Sequence, residues 1–135
     1  MGGLAIHHLG VAVEDLDASI VTYKQLFGAA LEHRDVVPAQ GVEAASLRVG
    51  SSRVELLRPL EADSPVGRFL AGRGPGMHHV AFAVQNLPAE LDRLRRDGVR
   101  LIDDEPRVGL FGLQVAFVHP EATGGVLAEL VSDGS

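Results

Sequence analysis

His7-His8-Leu9-Gly10-Val11-Ala12-Val13-Glu14-Asp15-Leu16 returns 71 residues later as His78-His79-Val80-Ala81-Phe82-Ala83-Val84-Gln85-Asn86-Leu87. The repetition decides the fold. Each copy opens with residues that alternate between two faces, the signature of a β-strand. His7, Leu9, Val11 and Val13 share one face of the first copy, and Ile6, His8, Gly10 and Ala12 the other. In the second copy His78, Val80, Phe82 and Val84 oppose His79, Ala81 and Ala83. In both, the second histidine stands among small residues, which leaves a hollow beside its imidazole, while the large residues suit packing against a helix.

The segment after each strand is also duplicated. Leu16, Ile20, Tyr23 and Phe27 recur at helical spacing and stop at Gly28. Leu87, Leu91 and Leu94 do the same, with Pro88 at the helix start and Gly98 beyond its end. Further strands are read over Glu43–Val49 and Ser52–Leu57, then over Gln114–His119 and Val126–Val131, punctuated by Gly50, Pro59, Gly112, Pro120 and Gly124-Gly125. Asp63-Ser64-Pro65 opens a short helix, with Ser64 as N-cap. The expected fold is α+β: two tandem βαβββ modules forming a cupped mixed sheet. Residues 1–71 make the first module with its connecting helix, 72–76 a linker, and 77–135 the second module, all in one compact domain.

The bulk properties fit this reading and exclude others. An apolar fraction of 46 % over 135 residues suits a folded domain. A net charge of −6 leaves no basic stripe for nucleic acid or an anionic membrane. No apolar run has the length of a membrane span, and the start lacks the pattern of a secretory leader, so a cytoplasmic protein is expected. With no cysteine in the chain, any metal must be held by nitrogen and oxygen.

Such a ligand set is present. Val54-Glu55-Leu56-Leu57 matches Ala128-Glu129-Leu130-Val131, so each copy carries one glutamate inside an apolar strand. A carboxylate there is costly to desolvate unless paired or coordinated. His8, Glu55, His79 and Glu129 are therefore expected around one divalent ion, of the Co, Ni, Zn, Fe or Mn class. His7 and His78 fall on the helix-packing face, and His33 and His119 have no counterpart in the other copy, so all four are left out. Arg53 is set aside as a partner of Glu55 on the ground that strand neighbours face opposite ways.

With these motifs in place the chain resembles the vicinal oxygen chelate superfamily (glyoxalase, bleomycin resistance, dioxygenase). Within it the methylmalonyl-CoA epimerases are most similar, through Val54–Leu60, Asp63-Ser64-Pro65, Gly76-Met77-His78-His79, Glu105-Pro106, His119-Pro120 and Thr123-Gly124-Gly125-Val126-Leu127. The resemblance implies an isomerase that interconverts (2R)- and (2S)-methylmalonyl-CoA through a metal-stabilised enolate. It puts the metal on His8, Glu55, His79 and Glu129, names Glu129 and then Glu55 as acid–base groups, and implies a CoA thioester substrate and a homodimer. Some members carry a Glu three residues after the glycine of a Gln-Gly-Val motif. Here Gln40-Gly41-Val42-Glu43 puts Ala44 at that place, and a one-residue shift turns Glu43 to the opposite face. Leu110-Phe111 adds apolar bulk in a loop where relatives have small residues. A glyoxalase I-type lactoylglutathione lyase shares the ligand set, and a non-catalytic small-molecule binder of the same superfamily is the alternative from another class.

Overall fold

The computed structural model describes residues 4–132. Its elements follow the duplicated order. The first module is β1 (Ala5–Ala12), α1 (Leu16–Phe27), β2 (Ala30–Val37), β3 (Val42–Val49) and β4 (Ser52–Pro59). After α2 (Pro65–Arg73) come β5 (Gly76–Val84), α3 (Leu87–Arg96), β6 (Arg107–Val108), β7 (Gln114–Val118) and β8 (Ala128–Ser132). Each module is βαβββ, as expected. The stretch 72–76 is divided between the end of α2, a turn and the start of β5.

The described residues group into two compact units, residues 8–78 and residues 79–132, the latter with residues 4–7. In the first, β4 lies between β1 and β3, and β2 is the outermost strand. β1 runs parallel to β4, with Gly10 opposite Glu55, while β3 and β4 are antiparallel, with Ser46 opposite Glu55. The second unit repeats the arrangement as β5-β8-β7-β6. Ala81 is opposite Glu129 in the parallel pair, and Phe117 is opposite Glu129 in the antiparallel one.

Each helix is fixed at its ends by local chemistry. The Asp15 carboxylate accepts from the Ala18 N–H at 3.0 Å, and the Asn86 side chain accepts from Ala89 N–H at the same distance. Ser64 caps α2 by accepting from the Gly67 N–H at 3.1 Å. Gly67 is required there, because a Cβ would stand 2.5 Å from the carbonyl oxygens of both Glu61 and Ala62. Gly28 ends α1 in the left-handed region, at φ 64°.

The two cores are built from matching positions. Leu16, Ile20, Ala45, Leu47 and Leu56 pack together in the first unit. Leu87, Leu91, Ala116, Val118 and Leu130 pack in the second. In each, the helix covers one face of the strands. The other face is the one on which the second histidine and the glutamate stand.

β2 carries no apolar alternation; it is exposed along nearly its whole length, as an outer strand can be. A bulge at Glu32 shifts its register against β3, between Leu31 and His33.

Candidate functional site

In a strand, residues two apart share a face, so His8 lies on the same side of β1 as Gly10, and Gly10 is paired with Glu55. The result is a buried imidazole–carboxylate pair: His8 Nε2 is 3.3 Å from Glu55 Oε1, and the residues are 3 % and 2 % exposed. The second unit repeats it through His79, Ala81 and Glu129. His79 Nε2 is 3.1 Å from Glu129 Oε1, and both residues are buried. In each unit the two ligand atoms lie within 4.8 Å of each other.

These pairs fit a divalent ion by the chemistry of their donors. Each offers one imidazole nitrogen and one carboxylate oxygen, both withdrawn from bulk water, and borderline divalent metals favour that combination. Gly10, Ala12 and Ala81 carry little side chain beside these groups.

The rest of the ligand-bearing face differs between the units. Beside Glu55 are Ser46 and, two pairs further along β3, Ala44; both are buried. Beside Glu129 is the Phe117 ring, edge-on to the His79 imidazole with centroids 5.8 Å apart. The Arg107 guanidinium lies over that ring, 5.5 Å from its centroid. Gly109 packs so closely on Val115 that a Cβ would meet its Cγ2 at 2.7 Å, which brings the 109–112 loop onto the same face. Within that loop Phe111 adopts φ 59°, ψ 27°, a conformation bulky residues seldom take.

Glu43 stands apart from the histidine–glutamate pair. It lies on the opposite side of β3 from Ser46 and Ala44, as the one-residue shift requires. There Arg58 Nε and Nη2 donate to its Oε1 at 3.2 and 3.1 Å, and Arg34 Nε donates to Oε2 at 3.2 Å. Arg58, followed by Arg34, holds its carboxyl below the usual carboxylate range against the opposing effect of partial burial. Its place is in an ion-pair cluster that extends through Arg34 to Asp17 on α1.

Three other histidines have neighbours of their own. His78 packs edge-on against Phe69 of α2, with centroids 5.1 Å apart. His119 Nδ1 accepts from the Glu121 N–H at 3.0 Å and caps the turn Pro120–Thr123. His33 lies on β2 opposite Ser46. Contrary to the expectation that they face opposite ways, Arg53 and Glu55 are two apart and share a face of β4. Arg53 is instead drawn to Glu32, with Nε 3.5 Å from Oε1. Phe117, Arg107 and Asp103 carry no sequence signal of their place here, since a ring contact across a short hairpin has no periodicity.

No helix among the described residues is long and apolar enough to cross a membrane. Residues 7–117 match the family model of the glyoxalase/bleomycin resistance protein/dioxygenase superfamily. The chain is 36 % identical over 126 residues to the mitochondrial methylmalonyl-CoA epimerase of Homo sapiens, covering 93 % of this chain and 72 % of that protein. The methylmalonyl-CoA epimerase structure from Mycobacterium tuberculosis superposes with a TM-score of 0.92 at 38 % identity, over 96 % of this chain and 88 % of that one. A methylmalonyl-CoA epimerase in complex with methylmalonyl-CoA and NH4+ gives a TM-score of 0.91 at 40 % identity, over 96 % and 94 % of the two chains. Similarity at this level, over nearly the whole length, places the chain in the glyoxalase/bleomycin resistance protein/dioxygenase superfamily, in its methylmalonyl-CoA epimerase family.

Proposed function

We propose that this protein is a metal-dependent epimerase acting on (2R)- and (2S)-methylmalonyl-CoA, with His8, Glu55, His79 and Glu129 holding one ion inside a single compact domain. The observation that carries the reading is the buried imidazole–carboxylate pair found at equivalent strand positions in each half of a chain from the epimerase family. A divalent ion of the Co, Ni, Zn, Fe or Mn class held by these residues would supply Lewis acidity to stabilise an enolate.

The chain's own residues then have separate tasks. The hydrogen between the two carbonyl groups of a malonyl thioester is acidified by both, and a buried carboxylate can remove it. Glu129 Oε takes this proton on one face of the carbon; on the other, Glu55, protonated from water on its oxygen not engaged with the metal, donates one, and both carboxyls then re-equilibrate with solvent. Ala44 and Ser46, both buried, are the small side chains on the Glu55 face of β3. The protein is taken to be a homodimer by analogy with the family, which sedimentation of the purified protein checks, and to be cytoplasmic.

Incubation of metal-reconstituted protein with each thioester epimer in deuterated water tests the reading. Inversion accompanied by one deuterium at C2 is expected from either epimer. Absence of both, alongside turnover of a glutathione hemithioacetal, would move the assignment to a lactoylglutathione lyase with the same ligand set.

A further inference from the structure

We infer that Asp103, Arg107 and Phe117, in the second half of the chain, form a positioning relay that sets the His79 ring for metal binding. The inference deepens the proposed function and rests on it. The relay begins at the Asp103 carboxylate, whose Oδ2 accepts from the Phe117 N–H at 2.8 Å. Its other oxygen, Oδ1, is 3.2 Å from Arg107 Nε. One carboxylate thus ties together the backbone of β7 and the side chain projecting from β6. The guanidinium is held over the Phe117 ring at 5.5 Å, and the ring's edge-to-face contact, at 80°, reaches His79.

The next residue on this face of β5 is Ala81, whose methyl group gives the imidazole no wall. An imidazole can turn about its terminal bond, and a ligand that turns binds more weakly. The Phe117 ring restricts that turning, and the cation above keeps the ring in place. The matching position in the first half is Ser46, which stands opposite Glu55 as Phe117 stands opposite Glu129. A serine provides no such wall. The relay is therefore not a by-product of the duplicated fold.

The test is Co2+ affinity by chelator competition, with epimerase kcat and KM measured on the same samples. Phe117→Leu and Arg107→Gln should each weaken Co2+ binding by about tenfold, within the range for outer ligand supports. Phe117→Tyr, which retains the ring, should restore wild-type affinity. The loss should appear in kcat at limiting metal and vanish at saturating metal, with KM unchanged. His8→Ala serves as a reference that weakens binding by a route independent of the relay. Both Phe117→Leu and Arg107→Gln binding Co2+ within twofold of wild type, while wild type turns over methylmalonyl-CoA, would overturn the relay and leave the function standing. Wild-type protein that neither binds Co2+ nor exchanges the C2 proton would overturn both. Should Phe117→Leu misfold, Asp103→Asn supplies the same comparison without touching the ring.

Discussion

Replacing Glu129 by glutamine removes one negative charge from a buried pair and changes almost nothing in volume. Glu129 is 6 % exposed, and its Oε1 is 3.1 Å from His79 Nε2. In the metal-free protein the carboxylate costs desolvation energy, so the amide should leave the fold at least as stable as wild type. The loss should appear when metal is added. With metal at 100 times the wild-type Kd, binding stabilises the native state by about 2.7 kcal/mol. For a domain of this size that is roughly 8–13 °C in Tm. A variant whose affinity falls by about 100-fold, the upper end for a disturbed ligand, gains only about 0.4 kcal/mol at the same metal concentration, or roughly 1–2 °C. Thermal melts with Co2+ and with chelator read this difference directly. Turnover should fall by about 10²–10⁴-fold even where metal is bound, because the amide cannot accept the proton. A variant that gains the full wild-type shift and keeps full turnover would refute both roles given to Glu129.

Two further predictions concern the frame. Because Arg58 and Arg34 depress the Glu43 pKa, the native pair contributes stability above the ordinary carboxylate pKa of 4.5, and the contribution is lost as pH falls through the depressed value. Glu43→Gln should therefore cost about 1 kcal/mol or less at pH 7 and progressively less as pH falls through the depressed pKa, with turnover at pH 7 retained, as urea melts and activity assays would show. Leu91→Ala, at a position 1 % exposed in the second core, should cost about 2–5 kcal/mol in chemical denaturation without changing which ligands face the site.

The parts of this molecule that could be read from sequence are those where the chain repeats itself. His8 and His79 stand out because each sits on the small-residue face of a strand, and the alternation of a strand leaves no other face for them. Glu55 and Glu129 stand out because a carboxylate in a run such as Val54-Glu55-Leu56-Leu57 needs a partner. The same alternation predicts that Glu43 turns away from Ala44, and its ion pair with Arg58 and Arg34 explains where it goes. For Arg53 the alternation gives the opposite of the expectation drawn from it, since two residues apart means the same face. β2 leaves no pattern to read because an outer strand can be polar on both sides, so Glu32-His33-Arg34-Asp35 gives no period of two. β6 is two residues long, too short for any period, and the Asp103–Arg107–Phe117 contacts depend on its pairing with β7.

The proposed chemistry requires the two histidine–glutamate pairs to serve one ion. Native mass spectrometry of the Co2+-reconstituted protein measures this most directly. One ion per chain is expected, lost on mild chelation by His8→Ala and by His79→Ala alike. Two ions per chain in wild type, or one retained undiminished when either histidine is removed, would mean that each half binds separately and would contradict the shared site.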